Sequence, residues 1–168
     1  MGKVLSSFTN GSPGAVSRSV DEIIISLKNA GETDIPFGAP VFVSADKSGA
    51  VGFAPGGSQT FDEFLGFAVR VPDKTPDRYP GGPFDAQPQG VWKAGDTMDI
   101  LVRGSLAAPL TGAARKTGKV YIRRADGALV TVPGAEGAAV ELENVRVRTP
   151  MADTGSCAEL TVLRRNIQ

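Results

Sequence analysis

The sequence predicts an all-β protein, either a single β-barrel or a jelly-roll-like sandwich, with an extended N-terminal arm. Short runs rich in Val, Ile and Phe recur along the chain. Turns separate these runs roughly every 8–12 residues, a spacing typical of sandwiches and barrels. The 21 Gly and 12 Pro of the chain supply residues that end strands and shape tight turns. We therefore predict an arm over residues 1–35 and a β body over residues 36–168.

The arm is predicted from its polar beginning and from an apolar segment that fits two structures. Residues 6–14 consist largely of Ser, Thr, Asn, Gly and Pro, which neither propagate a helix nor bury much apolar surface. Residues 20–28 have an apolar spacing and a capping box that fit a helix. Three consecutive isoleucines favour a strand instead, because β-branched side chains fit extended backbone better. We predict a strand, with Ile23, Ile25 and Leu27 on one face.

The body is predicted to consist of short strands joined by Gly- and Pro-rich turns. The predicted strands cover residues 39–45, 50–55, 61–71, 98–104, 119–124, 128–132, 138–149 and 156–164. Alternation assigns one apolar face to Leu65, Phe67 and Val69 in the third of these strands and to Met98, Ile100 and Val102 in the fourth.

Three further signals refine the strands. The dipeptide Asp126-Gly127 predicts a hairpin turn. The apolar parity changes near residues 143–144, which predicts a bulge in that strand. Residues 72–90 contain five prolines, a density that excludes a central strand and predicts a long exposed loop.

Composition argues against several classes of function. The chain has no His and one Cys, so the groups that most often transfer protons or bind metals near neutral pH are nearly absent. Its formal net charge is zero, whereas a nucleic-acid binder normally has a basic surplus. No apolar run approaches the roughly 20 residues that span a bilayer. We expect no cofactor, no metal, no direct nucleic-acid contact and no membrane association, and we predict a binding or structural role rather than an enzyme.

Two motif-like segments lack the context that their chemistry requires. Residues 153–156 (DTGS) match the aspartic-protease motif, but only 12 residues follow Ser156, too few to build a substrate cleft. Residues 112–120 resemble a phosphate-binding loop, yet the glycine spacing is one residue too long. That segment also leads into a predicted strand rather than a helix.

The acidic, aromatic and cysteine residues leave more than one interpretation open. Glu141 and Glu143 share the polar face of a predicted strand, where a carboxylate pair of the kind glycosidases use remains an alternative. Aromatic side chains such as Tyr79 and Trp92 are expected mostly in the core, with interface anchors as the other use. Because Cys157 is the only cysteine of the sequence, an intrachain disulfide is excluded, while an interchain one stays open.

Six short segments, taken in order, resemble the head cement proteins of tailed bacteriophages. These segments are residues 12–18 (SPGAVSR), 35–41 (IPFGAPV), 65–69 (LGFAV), 92–96 (WKAGD), 102–104 (VRG) and 118–122 (GKVYI). Each one is short and Gly-rich, so the resemblance depends on their order and spacing, which extend over most of residues 12–165.

The resemblance implies a β-barrel or jelly-roll-like capsid decoration protein with an N-terminal arm and no catalytic residues. It implies binding to the major capsid protein on the outer surface of the phage head, where the protein clamps adjacent capsomers after synthesis in the host cytoplasm. Copies are expected to associate as dimers or trimers, and the arm's isoleucines are expected to add a strand to a neighbour's sheet edge.

The residues predicted to contact the capsid or another subunit are Val16, Arg18, Ile23, Ile24, Ile25, Phe37, Tyr79 and Trp92. Alternatives from other classes are a phage tail or fibre subunit, a carbohydrate-binding β module, and a hydrolase that uses Glu141 or Glu143.

Overall fold

The computed structural model describes residues 11–71, 90–150 and 157–164, with only the backbone described at 18–20. It confirms the all-β prediction, since the described residues form strands, turns and one short 3-10 turn at Phe61–Glu63. The strands are β1 (Val16–Lys28), β2 (Ile35–Pro36), β3 (Pro40–Val43), β4 (Ala50–Gly52), β5 (Phe64–Ala68), β6 (Val91–Trp92), β7 (Thr97–Pro109), β8 (Lys119–Arg123), β9 (Leu129–Val130), β10 (Ala139–Val147) and β11 (Cys157–Val162). Within these ranges, no helix has the length and apolar character needed to cross a membrane.

One antiparallel sheet contains nine of the strands. Its order is β4-β3-β5-β7-β11-β10-β8-β9, with β1 paired to β7 beside this path. The sheet curls into a half-barrel, which is consistent with the jelly-roll-like sandwich predicted from the sequence. The remaining strands, β2 and β6, form a separate two-stranded sheet.

β7 pairs with three other strands. It pairs with β1 from Thr97 to Leu106, with β5 at residues 100–101, and with β11 from Gly104 to Pro109. Register shifts interrupt the β1–β7 pairing between residues 16 and 24. The body is therefore organised around one long strand.

The core has two parts, and β7 contributes to both. Leu101 and Leu106 belong to the first part, which surrounds a chain of ring contacts between Phe42, Phe64 and Phe67. The predicted face of Met98, Ile100 and Val102 is confirmed, since all three lie in the second part of the core. Both faces of β7 are thus buried.

The ambiguous segment after the arm's polar start is a strand. Residues 20–28 lie within β1, which confirms that prediction over the helical alternative. β1 pairs with β7 of the same chain, so residues 16–28 belong to the same sheet as the body. The division of the chain at residue 35 stays a prediction.

The predicted face of β5 is partly wrong. Phe67 and Val69 pack in the first part of the core, whereas Leu65 packs against the second. The β3–β5 pairing shifts in register between Val41 and Phe42. Such an irregularity changes which face each following side chain occupies, so strict alternation fails there.

Two local predictions near the other end of the sheet are confirmed. Gly127 has a φ of 73°, and its N–H donates to the Arg123 carbonyl oxygen at 2.8 Å, which closes the β8–β9 hairpin. The predicted bulge in β10 corresponds to a register shift against β8 between Glu141 and Arg146.

Two glycines hold the beginning of β1 against the body. The Gly14 N–H donates to the Ala107 carbonyl oxygen, and the Gly38 N–H donates to the Ala68 carbonyl oxygen, both at 2.8 Å. Gly14 has a φ of +76° and Gly38 a φ of +77°, a region that favours glycine. A Cβ on either one would lie 2.9 Å from the backbone nitrogen of the other. The two turns can meet only because both residues lack a side chain.

We expect Gly66→Ala to destabilise the protein strongly. A Cβ at this position would overlap the carbonyl group of Leu101 in the neighbouring strand, and backbone in a paired sheet cannot move aside cheaply. The expected loss is about 3 kcal/mol of unfolding free energy, a fall in Tm of roughly 6–12 °C. Thermal and urea unfolding measure both quantities.

Gly52→Ala is the matched control, since Gly52 also lies in a strand and its added Cβ would come no closer than 3.4 Å to Ile35. We expect this control to stay within about 0.5 kcal/mol of the parent chain. Equal effects of the two substitutions would contradict the packing argument.

Candidate capsid-contact surface

Among the predicted contact residues whose side chains the structure describes, the most exposed lie on β1. The side chains of Ile23 and Ile24 are 42% and 40% exposed, while Ile25 is half-buried and packs against the second part of the core. Large apolar side chains on a strand at the edge of a sheet are a recognised site for pairing with another chain.

A buried carboxylate fixes the beginning of β1 to the body. Glu159 in β11 is 6% exposed and accepts hydrogen bonds from the Ser17 hydroxyl at 2.8 Å and from the Thr149 hydroxyl at 2.6 Å. The Arg148 guanidinium lies 3.9 Å from the same carboxylate. Buried carboxylates need such partners, because an unpaired charge in the interior is costly. This cluster therefore joins β1, β11 and the end of β10.

Beside this cluster lies a groove that we call the basic groove. It consists of two adjoining depressions of about 480 Å³ and about 330 Å³. Its walls combine cationic, hydroxyl and apolar side chains, namely Arg103, Lys116, Thr117, Arg146, Arg148, Thr149, Thr161 and Leu163, with Asp21 at one end. Leu163 is 54% exposed, so the groove offers an apolar contact between its charges.

The charges of the basic groove are only partly neutralised by the protein. Arg103 forms an ion pair with Asp21, and Arg148 lies near Glu159. Lys119, just outside the groove, contacts Glu141 at 2.8 Å, and this hydrogen bond raises the pKa of the Lys119 ammonium. Among the described residues, no carboxylate pairs with Lys116 or Arg146. The groove is therefore suited to an acidic partner.

The predicted contact residues at the beginning of the chain have different environments. Val16 is half-buried against the first part of the core and lies opposite Leu106. Arg18 lies opposite Ser105 in the β1–β7 pairing, but its side chain is outside the described structure. Tyr79 also lies outside the described residues.

Phe37 and Trp92 are core residues in this structure. Phe37 is fully buried and Trp92 is 3% exposed, with their rings in an edge-to-face contact at 6.0 Å. The Trp92 indole N–H donates to the Val69 carbonyl oxygen at 3.0 Å. The expectation that aromatic residues mostly form the core is confirmed for both. Their contact with another protein stays a prediction, and their rings are not available at the surface of this chain.

The residues considered for catalysis do not come together as a site. Glu141 is bound to Lys119, and Glu143 is exposed on the same strand. The whole DTGS segment lies outside the described residues. In the described part of the chain, no three His, Cys, Asp or Glu residues are grouped to hold a metal.

The basic groove was not predicted from the sequence. One signal was available, since Arg146 and Arg148 lie two residues apart at the end of a predicted strand, a spacing that favours the same side. Lys116 joins them only through a tertiary contact, because the Thr117 N–H donates to the Val147 carbonyl oxygen at 2.7 Å. That contact has no counterpart in local sequence.

We expect Glu159→Ala to destabilise the protein by about 3 kcal/mol, a fall in Tm of roughly 6–12 °C. The substitution leaves two hydroxyl groups and the Arg148 guanidinium without their acceptor. Glu143→Ala is the control, because this exposed side chain is on the neighbouring strand, and we expect a change within about 0.5 kcal/mol. Thermal unfolding compares the two. A Tm unchanged by Glu159→Ala would show that the cluster does not fix β1.

The cysteine is expected to react slowly with thiol reagents. Burial raises the pKa of the Cys157 thiol, so less of the reactive thiolate is present at neutral pH. We expect alkylation of the native protein at pH 7 to be clearly slower than that of the protein unfolded in guanidinium, as followed by mass spectrometry. Equal rates in the two states would contradict this expectation.

Comparison with known proteins identifies the family. Among curated proteins, none matches this chain significantly in sequence. A solved structure described as "The capsid of Myoviridae Phage XM1" contains a chain with the same fold, at a TM-score of 0.69 and 12% identity, covering 98% of this chain and 96% of that one.

A second solved structure, "The crystal structure of head fiber gp8.5 N base in bacteriophage phi29", has a TM-score of 0.42 at 10% identity, over 87% of this chain and 99% of that one. That score is too low for an argument about fold. The family model described as "Structural cement protein (E217 gp24/Pam3 gp6)" matches residues 3–163. The chain therefore belongs to this structural cement protein family, and it is a structural, capsid-binding protein of a phage virion.

Proposed function

We propose that this protein binds the outer surface of the major capsid lattice and clamps adjacent capsomers. The observation that carries the proposal is the match of a structural cement family model to nearly the whole chain. A protein that binds only the assembled lattice stabilises it by mass action. When the protein contacts two neighbouring capsomers, neither capsomer can leave the lattice without breaking its contact with the protein.

The basic groove is the part of the surface that best fits the capsid side of this contact. Lys116 and Arg146 are cations that have no carboxylate partner among the described residues. Leu163 provides an exposed apolar surface between the two depressions. An extended acidic segment of the capsid protein would pair with the cations and cover this side chain. Charge complementarity of this kind favours the correct partner and speeds association.

The alternative of a carbohydrate-binding module has less support. Such a module presents several aromatic side chains on one exposed face. Every aromatic side chain in the described part of the chain is buried or half-buried, so no such platform is available there. The family match supports a structural role rather than a catalytic one.

Phage heads that lack the cement protein provide the direct test. Purified protein is mixed with these heads, the heads are pelleted, and the bound shells are imaged by cryo-electron microscopy. We expect ordered density on the outer surface that bridges neighbouring capsomers. Density confined to a single capsomer would contradict clamping, and bare shells with folded protein in the supernatant would contradict capsid binding at this surface.

We expect the double variant Lys116→Glu/Arg146→Glu to bind heads at least about tenfold more weakly than the parent chain. The matched control is Lys47→Glu/Lys93→Glu, which makes the same change in net charge at two exposed positions outside the groove. Pelleting assays at two salt concentrations measure the affinities, and the difference between variants should shrink as salt rises. Equal weakening by both double variants would assign the effect to net charge and not to the groove.

A further inference from the structure

Carboxylates already pair with guanidinium groups at two positions of the basic groove. Arg103 forms an ion pair with Asp21, and Arg148 lies 3.9 Å from the Glu159 carboxylate. Guanidinium groups hold carboxylates well because their planar N–H donors match the two carboxylate oxygens. The protein's own contacts therefore identify the carboxylate as an anion that the cations of this groove accept.

The position between these two pairs has cations and hydroxyl groups but no carboxylate from the described residues. Arg146 in β10 lies opposite Thr161 in β11, which in turn lies opposite Ser105 in β7, and the two hydroxyl oxygens are 2.7 Å apart. The Arg146 guanidinium donates to the Val145 carbonyl oxygen at 2.7 Å, which leaves most of its N–H donors for other acceptors. Lys116 lines the same depression. This position can therefore accept one more carboxylate.

The backbone beside Lys116 is strained. Thr117 has a φ of 64°, in the left-handed region that β-branched residues rarely adopt. Its hydroxyl donates to the Lys116 carbonyl oxygen at 2.6 Å, and its N–H donates to the Val147 carbonyl oxygen at 2.7 Å. These bonds keep Lys116 next to β10. Because backbone strain is concentrated at functional sites, it supports a binding role for this wall of the groove.

Leu163 lies at a defined distance from the Arg146 position. The Leu163 N–H donates to the Asn144 carbonyl oxygen, which continues the pairing of β10 with β11 and makes Leu163 the diagonal neighbour of Arg146. Diagonal neighbours across a strand pair are about 7–8 Å apart. Alternate side chains of an extended segment project to the same side at about 7 Å. One extended segment can therefore reach both positions with side chains two residues apart.

We propose that the basic groove binds an extended protein segment in which an acidic residue and a large apolar residue are two positions apart. The acid accepts hydrogen bonds from Arg146 and Lys116, and the apolar side chain covers Leu163. Neighbouring residues of an extended segment point to opposite sides, so an acid directly beside the apolar residue cannot make both contacts. That this segment belongs to the major capsid protein rests on the proposed function, whereas its pattern follows from the groove alone.

Three short peptides with blocked ends test this pattern without any capsid. The first, Leu-Thr-Glu-Thr-Leu, has its acid two positions from a leucine in either direction of binding. The second, Thr-Leu-Glu-Leu-Thr, has the same composition, but both leucines are adjacent to the acid. The third has Gln in place of the Glu of the first. NMR titration of the isotope-labelled protein gives the dissociation constants and identifies the amides that respond.

We expect the first peptide to bind roughly fivefold to tenfold more tightly than either of the others. The largest shifts should occur at the amides of Arg146, Thr161 and Leu163. Equal affinities of the first and second peptides would overturn the spacing, and equal affinities of the first and third would overturn the carboxylate. No binding of the first peptide at its solubility limit would overturn the proposal as a whole.

Substitutions in the groove identify which contact produces each preference. Leu163→Ser should remove the preference for the first peptide over the second. Arg146→Gln should remove its preference over the third, and Lys116→Gln should reduce the same preference. Lys93→Gln, outside the groove, is the control and should change neither. Tm shows that each variant is folded. Preferences that survive all three groove substitutions would place the peptide elsewhere and contradict the proposal.

Thr117→Gly tests the strained wall. Glycine adopts this conformation without strain, so we expect a Tm no lower than that of the parent. The first peptide should nevertheless bind roughly threefold more weakly, because Lys116 is held less firmly. Lys47→Gly is the matched control, since Lys47 has a φ of 57° in a turn outside the groove, and its affinity should be unchanged. A lower Tm with unchanged binding would assign Thr117 to stability alone.

Binding to phage heads separates this inference from the proposed function. A parent chain that binds heads but does not distinguish the peptides would overturn the pattern and leave the proposed function intact. A parent chain that prefers the first peptide but leaves heads bare would support the pattern and overturn its assignment to the capsid protein.

Discussion

The backbone pairing of β7 is the constraint on which the rest of the structure depends. This strand pairs with β1, β5 and β11, and its two faces belong to the two parts of the core. Gly104, in the middle of β7, packs directly against Glu22 of β1. Its φ is +120°, a backbone conformation that favours glycine. Because β7 is occupied on both edges, the outer strand in this region is β1, and residues 49–50 pack against its end at Lys28 and Asn29.

The consequence at Gly104 is steric. A Cβ there would lie 3.2 Å from both the Cα and the Cβ of Glu22, so a larger residue would push β1 away from β7. The glycines of the Gly-rich segments act similarly at the beginning of β1, where Gly14 and Gly38 meet backbone to backbone. In this chain the glycines of these segments allow close approach between strands, which is a requirement of the fold.

Local sequence predicted those parts of the fold in which burial alternates regularly. Met98, Ile100 and Val102 share one face because β7 is regular there. The change of apolar face in β10 is visible in the sequence because Val140 and Val145 lie an odd number of residues apart. The prediction failed at Leu65, where a register shift between two strands has no local signal. It also ended β7 at Gly104, because a glycine followed by an Ala-rich stretch has low strand propensity, whereas pairing with β11 extends the strand to Pro109. The basic groove escaped prediction for the same reason, since pairing between distant segments brings Lys116 to Arg146.

Attachment to the capsid through the basic groove alone would be one contact of modest size. Clamping requires a second contact with the neighbouring capsomer, and binding at the first contact would hold the second at a high effective concentration near the lattice. Weak individual contacts would then suffice for firm attachment, provided that their spacing matches that of their sites. Because the net charge of the chain is zero, crowded copies would also repel one another little, which leaves the local charges of the groove to determine how each copy is oriented on the lattice.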